Sequence, residues 1–600
     1  MMWTREQKQV IDTREKNLLV SAAAGSGKTA VLVERILSLI TDPEHPVDVD
    51  RLLITTFTKA AAGEMKERIG KALLERLLEE PDNEWLKKQE ALVPRAQITT
   101  IHGFCLYVIR NYFHTIGLNP GFRIADEGEI RLLMQDTVEE LLEEAHREKR
   151  PEFVRFAECY GSGNKGSGIG DLVIQLYEYA VASPRPAAWL KECAAMYDLP
   201  EGASYRDFPG AEALLEELGQ TAADCLLQIR KAIALTRLPS GPSAYEEVLL
   251  QDEALFLSLT DCETLEDFEE LAAGAAFGRL PGRRAKVMAG ADEALCDQVM
   301  EIRNGVKDTL KGLVKQYFSI PGEMAMEQMR GTAKSVQVYT ELTLEFMKRL
   351  EEKKRKKNIL DFSDQEHLAL RILTKEEDGK LVPSETADLF ADYFAEIMVD
   401  EYQDSNRVQE AILDSICKSR RGRENRFMVG DVKQSIYRFR QAEPGLFLQK
   451  YHQYEDGEQG VRIDLHQNFR SRDTVLRPVN EVFGRIMRRE LGGVEYDEAA
   501  ALKAGASYPE NPACRAELLL LSQEEWEELR ADCSYTKPEA EAHLIAERIR
   551  RMLKEEQVTE NGELRPVRPG DIVILLRTMS GWSETFVRVL QEEGIPASAQ

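Results

Sequence analysis

Eight consecutive residues, Ala22-Ala23-Ala24-Gly25-Ser26-Gly27-Lys28-Thr29, combine glycine, lysine and a hydroxyl in the order that phosphate binding needs. Gly25 and Gly27 let the backbone turn tightly and aim N–H groups at phosphate oxygens. Lys28 neutralises β- and γ-phosphate charge, and Thr29 can ligate Mg2+. Ala22 stands where the general pattern has glycine; it asks for a negative φ but removes no phosphate donor. The competing reading, a plain glycine-rich turn between strand and helix, fits the Gly-Lys-Thr ending poorly.

A second constellation follows much later. Ile397-Met398-Val399 leads into Asp400-Glu401, two carboxylates at the end of an apolar run. In such a site the Asp holds Mg2+ through water and the Glu orients the attacking water for in-line displacement. An isolated Asp-Glu pair is more often a helix start or a solvated corner, but the following Tyr402-Gln403-Asp404 sharpens this one. The next apolar run ends in Gly430-Asp431 and continues Val432-Lys433-Gln434-Ser435-Ile436-Tyr437-Arg438-Phe439-Arg440. Gln434 at that strand end can sense the γ-phosphate and relay its loss to Tyr437 and Phe439. Core packing is the competing reading for both aromatics.

Positioning these groups requires α/β structure. Asn17–Ala23 and Arg51–Thr56 read as buried parallel strands, with helices over Ala30–Ile40 and Ala60–Leu78. From about 125 to 357 strand signals vanish and helical spacing takes over. Ile130–Ala145 shows it, and Tyr339, Leu342, Phe346 and Leu350 share one helical face. Gly161–Gly170 is too glycine-rich for an element interior and reads as a loop. Strand signals return at Ile397–Val399, Phe427–Val429, Arg462–Leu465 and Asp571–Leu576, with a helix near Ser583–Glu593. The chain stops at Gly594–Gln600, inside an α/β unit.

Six hundred residues imply on the order of three to five domains. With 43% apolar and 30% charged residues the chain reads as globular. No run approaches the roughly 18 apolar residues of a membrane helix, and the polar N-terminus does not read as a signal peptide. The nine cysteines lack any C-x-x-C pair, which argues against a disulfide framework, zinc or an iron–sulfur cluster and makes a reducing cytoplasm the simplest location. A net charge of −26 (78 Lys plus Arg against 104 Asp plus Glu) would not by itself suggest nucleic acid. It leaves room for a locally basic groove.

The order of these motifs is similar to that of UvrD/Rep/RecB-type superfamily 1A helicases over nearly the whole chain. Trp3-Thr4-Arg5-Glu6-Gln7 resembles the family's Q motif, implying that Gln7 contacts adenine. Thr55-Thr56-Phe57-Thr58-Lys59-Ala60-Ala61 resembles motif Ia, which implies that Phe57, with Thr58 beside it, meets single-stranded DNA. Thr99-Thr100-Ile101-His102-Gly103-Phe104-Cys105 resembles the T-x-H-x-F-C segment. The Asp400–Asp404 and Gly430–Arg440 runs resemble motifs II and III. Gln467-Asn468-Phe469-Arg470-Ser471 resembles motif IV, implying that Phe469 stacks on adenine and Arg470 reaches the γ-phosphate. Within that family the Ser21–Thr29 loop, Ala442-Glu443-Pro444 and the long leucine-rich insertion are similar to AddA-type subunits of bacterial helicase–nuclease complexes.

The resemblance implies a RecA-like P-loop domain over 1–115 plus 370–445, within a UvrD-like ATP-binding region of about 1–475. It implies a helical insertion over 116–369 and the start of a second RecA-like domain over 446–600. It further implies use of ATP and Mg2+ and 3′→5′ travel on single-stranded and duplex-end DNA. An AddB-like partner in a heterodimer and a role in recombinational break repair follow from it as well. Nothing resembles the family's late motifs or its C-terminal nuclease, so the expectation is a fragment of a longer enzyme. Two rival readings are a stand-alone UvrD/Rep-type helicase and a non-catalytic module that binds ATP and DNA.

Several residues have duller readings. His102 could touch the DNA backbone but is more often a satisfied structural residue. The Lys353–Lys357 run could grip phosphates but suits a solvated helix end. Asp361 or Ser363 reads as a helix cap, and Cys105 as core.

Overall fold

The computed structural model describes residues 3–161, 168–282, 285–288, 290–488, 494–498, 500–533, 535–560 and 562–599. The chain divides into two compact units: Met1–Phe104 with Glu385–Asn406 and Leu413–Gln600, and Cys105–Ser384 with Arg407–Ile412.

The first unit is built on a six-stranded parallel sheet. Its strands are β1 (Leu18–Ala22), β2 (Leu52–Thr56), β3 (Gln97–Thr100), β4 (Glu396–Asp400), β5 (Arg426–Gly430) and β6 (Val461–Leu465), in the order β6-β1-β5-β4-β2-β3. The near-continuous apolar runs of β1, β2, β4 and β5 are what a strand covered on both faces requires. Leu18, Val20, Ile54, Met398 and Phe427 are all buried in one core with Val31, Ile36 and Met65 from the covering helices. Those helices include α1 (Arg5–Asp12), α2 (Lys28–Ile40) and α3 (Lys59–Glu79). Arg35 on α2 crosses this core. Its Nε donates to Glu396 at 2.8 Å and its guanidinium to the Val10 and Thr13 carbonyls at 2.6 and 2.7 Å, tying α1, α2 and β4 together.

The strand signal at Arg462–Leu465 is β6, which pairs with β1 at the edge of this sheet, Leu18 opposite Val461 and Ala22 opposite Leu465. The strand expected over Asp571–Leu576 is absent. Ile572, Ile574 and Leu576 do pack inward, onto the helices Lys537–Glu555 and Ser583–Glu592, while Val573 and Leu575 are exposed. The period of two is real, but no described residue supplies a neighbouring ladder, and alternation without a partner is not a strand.

The second unit is helical, as the spacing suggested. Its main helices are α4 (Glu127–Glu148), α5 (Ile169–Ala180), α6 (Ala211–Thr236), α7 (Glu246–Thr260), α8 (Glu293–Tyr317), α9 (Gly322–Lys357) and α10 (Phe362–Leu373). A two-residue parallel pairing, Arg123 with Ile359 and Ile124 with Leu360, closes the base. Leu342, Phe346 and Leu350 are buried on one face of α9, and the Tyr339 hydroxyl beside them donates to the Leu172 carbonyl at 2.6 Å. The loop reading of Gly161–Gly170 falls largely on 162–167, outside the described residues; Ile169 and Gly170 open α5.

The Lys353–Lys357 run is a solvated helix end only in part: Arg355, Lys356 and Lys357 are exposed, but the first two lysines are not. Lys353 pairs with Glu140 at 2.6 Å, and Arg355 donates to the Gly117 carbonyl at 2.8 Å. Lys354 is buried, bonded to Asp361 and, at 3.0 Å, to Asp364. Asp361 caps α10 by accepting the Asp364 N–H at 2.8 Å, as its sequence position suggested, and also accepts from the Ser363 hydroxyl. Cys105 is fully buried, and burial pushes its thiol well above the ordinary range.

Candidate nucleotide site and its aromatic flank

A parallel sheet brings the C-terminal ends of its strands to one edge, where ligands of open α/β sheets bind. Here β1 delivers the glycine loop, β4 delivers Asp400-Glu401 and β5 delivers Asp431. The register sets Ser21 opposite Gly430 on β5, and Asp400 opposite Val429.

Ala22 is the last residue of β1 and keeps the negative φ its side chain demands, while Gly25 and Gly27 take φ of +70° and +82°. At Gly25 a Cβ would lie 2.6 Å from the Asn468 amide and 2.9 Å from the Arg470 Cβ, so glycine is fixed there by space as well as by φ. Lys28 begins α2 with Gly27 as its cap; no side chain caps the helix, and its first N–H groups face the loop. Gln7 serves this loop. Its Nε2 donates to the Ser26 carbonyl at 3.0 Å, and its Oε1 accepts from the Thr4 N–H at 3.0 Å.

The two acids sit against that loop. The Lys28 ammonium bonds both Glu401 oxygens, at 3.0 and 2.9 Å. Asp400 is pushed up to about 6, first by burial and then by the charge of Glu401, with Lys28 pulling it back. Asp404 is also pushed up to about 6, by burial and again by Glu401. One lysine thus faces three carboxylates, an arrangement short of positive charge. The Ser26 hydroxyl and one Asp404 oxygen are buried without a hydrogen-bond partner. Acid excess beside a glycine cradle fits a phosphate group with a divalent cation, and Thr29 and Asp400 are the residues that would hold the cation.

Gln434 ends the turn Val432–Gln434, where its amide donates to Asp431 at 2.7 Å; Lys433 bonds the other Asp431 oxygen at 2.8 Å. Beyond the turn, Tyr437 lies 4.4 Å from Phe57 and 5.8 Å from Phe439, ring centre to ring centre. Phe57 and Tyr437 are half-buried, but Phe439 is 77% exposed, so core packing does not account for it. Thr58 is the exposed N-cap of α3, its hydroxyl accepting from the Ala61 N–H at 3.0 Å. His102 lies half-buried in the first turn of the helix Ile101–Tyr112, and a Cβ on neighbouring Gly103 would overlap the Thr99 hydroxyl.

The segment after β6 closes the loop from the other side. The Phe469 N–H donates to the Gly25 carbonyl at 2.8 Å, and Gly505 lies against the Phe469 ring. Arg470 is exposed, with its backbone N–H held at 2.9 Å by Asn468. Asn468 and Gln403 were not singled out from sequence. Buried Asn468 donates to the Ala24 carbonyl at 2.7 Å and accepts the N–H groups of Arg470 and Ser471. Gln403 bonds both Glu401 and the Asp431 N–H. The signal for each was its place inside a motif, Tyr402-Gln403-Asp404 and Gln467-Asn468-Phe469, rather than any spacing rule.

Glycine loop, lysine at a helix start and an acid pair on a nearby parallel strand together define the class of phosphate-loop nucleotide-binding α/β proteins. Residues 3–455 match the UvrD/REP helicase N-terminal domain, and the chain belongs to that family. It is 44% identical, over 99% of its length, to a protein of Lachnoclostridium phytofermentans named as an ATP-dependent helicase/nuclease subunit of the A type. Proteins of the same name from Bacillus velezensis and Geobacillus kaustophilus are 39% and 41% identical over 100% of this chain. The chain spans about half the length of these relatives, 46% of the first and 49% of the other two.

Proposed function

We propose that these residues are the ATP-driven motor part of an AddA-type helicase–nuclease subunit that unwinds duplex DNA ends for recombinational repair. The observation that carries this reading is the Lys28–Glu401 pair beside buried Asp400, at the edge where β1 and β4 end. The names of the relatives and the family match support it. On this reading 1–115 plus 370–445 form a RecA-like domain, 116–369 an insertion, and 446–600 the start of a second RecA-like domain.

Each residue then has a task. Backbone N–H groups of the Gly25–Thr29 turn and Lys28 bind the β- and γ-phosphates. Phosphate oxygens compete with Glu401 for Lys28, which frees the Glu401 carboxylate to orient a water for in-line attack. Thr29 and Asp400 would hold Mg2+, which when bound would supply neutralisation of the charge on the phosphate oxygens. Phe469 stacks on adenine beside Gln7, Arg470 answers γ-phosphate charge, and Gln434 senses its loss. Phe57, Tyr437 and Phe439 stack on bases of single-stranded DNA, each contact worth about 1–3 kcal/mol and so breakable within one ATP cycle. Travel 3′→5′, a heterodimer with an AddB-like partner and a cytoplasmic setting belong to the same proposal. No described helix is long and apolar enough to cross a membrane.

The test is steady-state ATP turnover with and without single-stranded DNA, beside Lys28→Ala and Glu401→Gln. DNA-stimulated turnover that both substitutions abolish is the expected result. ATP binding without turnover in any form would reduce the chain to a nucleotide-binding module.

A further inference from the structure

We propose that Gln403 is a positioning residue that locks the Glu401 carboxylate to the Asp431–Gln434 turn, so that the base and the γ-phosphate sensor move as one piece. The inference rests on the reading of Glu401 as the group that orients water.

Four observations support this role. Gln403 is 2% exposed, and both ends of its amide are used: Nε2 donates to Glu401 Oε2 at 2.8 Å, and Oε1 accepts the Asp431 N–H at 3.0 Å. Asp431, also buried, in turn accepts from the Gln434 amide at 2.7 Å, completing a path Glu401–Gln403–Asp431–Gln434 across the ends of β4 and β5. Glu401 itself sits at φ +54°, a left-handed conformation that a non-glycine residue keeps only where its surroundings enforce it. Finally, Gly430 leaves the room: a Cβ there would overlap the Gln403 amide oxygen and stand 3.2 Å from the Phe447 ring.

The chemistry singles out an amide. Glu401 can only accept and the Asp431 N–H can only donate, so the bridge needs a donor at one end and an acceptor at the other. Glutamine supplies both. Glutamate would keep the Asp431 bond but set two carboxylates face to face. Leucine would lose both bonds and leave a buried N–H without a partner.

The experiment is ATP turnover of the complete polypeptide as a function of ATP and of single-stranded DNA. Gln403→Glu and Gln403→Leu are compared with wild type and with Glu401→Gln, and binding of a fluorescent ATP analogue and melting temperature are recorded for each. The expected result for Gln403→Glu is a fall in kcat of about ten- to a hundredfold, as a mis-set base would give. KM and analogue binding stay close to wild type, while the melting temperature falls by a few degrees, as a second buried carboxylate beside Glu401 requires. Gln403→Leu should lose kcat at least as far and should also lose most of the DNA stimulation. If both variants turn over within about twofold of wild type while Glu401→Gln is inactive, the coupling role is overturned and the functional reading stands. If kcat, analogue binding and melting temperature all fall together, Gln403 is structural and the proposal fails. A Glu401→Gln variant that matches wild type would overturn the functional reading, and the role of Gln403 with it.

Discussion

Among the described residues, two lysine–carboxylate clusters of nearly the same composition invite comparison, one in each unit. In the helical unit Lys354 meets Asp361 and Asp364; in the sheet unit Lys28 meets Glu401 beside Asp400 and Asp404. Each contains a carboxyl pushed up to about 6, Asp364 in one and Asp400 in the other, with burial the largest cause in both. A raised carboxyl pKa therefore does not tell the two clusters apart. Closure does. Lys354 is 4% exposed, and its acids form a reciprocal capping box in which Asp361 and Asp364 also accept each other's backbone N–H. Around Lys28 the charge does not close: one ammonium serves three acids, and the Ser26 hydroxyl and an Asp404 oxygen have no partner. A buried ionic cluster that satisfies itself holds a fold together, while one left short of cations and donors is shaped for something else.

The largest expected effects separate the clusters by what each substitution removes. Lys28→Ala and Glu401→Gln should each lower ATP turnover by on the order of a hundred- to a thousandfold. They should leave the melting temperature near wild type, because the pair they break is partly solvated. Lys354→Met should do the reverse. Removing one partner from a buried cluster typically costs about 3–5 kcal/mol, read as a shift of the urea midpoint. Affinity for a fluorescent ATP analogue should stay unchanged. A Lys354→Met protein that keeps its stability but loses nucleotide binding would invert the comparison.

What could be read in the sequence follows the same division. The phosphate loop, the acid pair and the sensor turn were legible because phosphate chemistry demands particular residue types in sequence order. Five of the sheet's strands were legible: β1, β2, β4 and β5 because burial on both faces writes itself as an unbroken apolar run, and β6 from the shorter signal at Arg462–Leu465. The Lys354 cluster was not. Its lysine sits in a run of five cations, where a solvated helix end is the ordinary meaning, and nothing local says that one of the five turns inward. Ile572–Leu576 failed for the opposite reason: the alternation was right, but a strand also needs a neighbour, which local sequence cannot supply. Asn468 and Gln403 stayed unseen because an amide shows its worth only when both of its ends are seen to be used.

Next in size is the aromatic flank, which the comparison predicts to be separable from both clusters. Phe57→Ala removes the ring that lies 4.4 Å from Tyr437. It should weaken single-stranded DNA binding by about 1–3 kcal/mol, measured by fluorescence anisotropy at fixed salt. The affinity for the ATP analogue without DNA should not change. Loss of analogue binding in this variant would mean that the ring supports the nucleotide site, and retained DNA affinity would remove it from the strand path.

The smallest effect tests whether the closed cluster is complete. The folded Asp364 carboxyl titrates near 6 against an ordinary 3.8, so between about pH 4 and 6 the folded state binds more protons than the unfolded one. Stability from this group must then fall as pH rises through that window, the opposite of a carboxylate whose folded pKa is depressed. Asp361 is such a depressed group: burial opposes its charge, but Lys354 outweighs it, and its contribution is lost only below about pH 4. Asp364→Asn keeps an acceptor for the Asp361 N–H and removes the titration. It should therefore flatten the wild-type decline between pH 4 and 6 by about 1–2 kcal/mol, measured as the unfolding free energy at each pH. Mg2+ and ATP should leave that difference untouched, since the hydrogen bonds of Asp364 are made within its own cluster. A difference that disappears when nucleotide is added would show that the two clusters are linked after all.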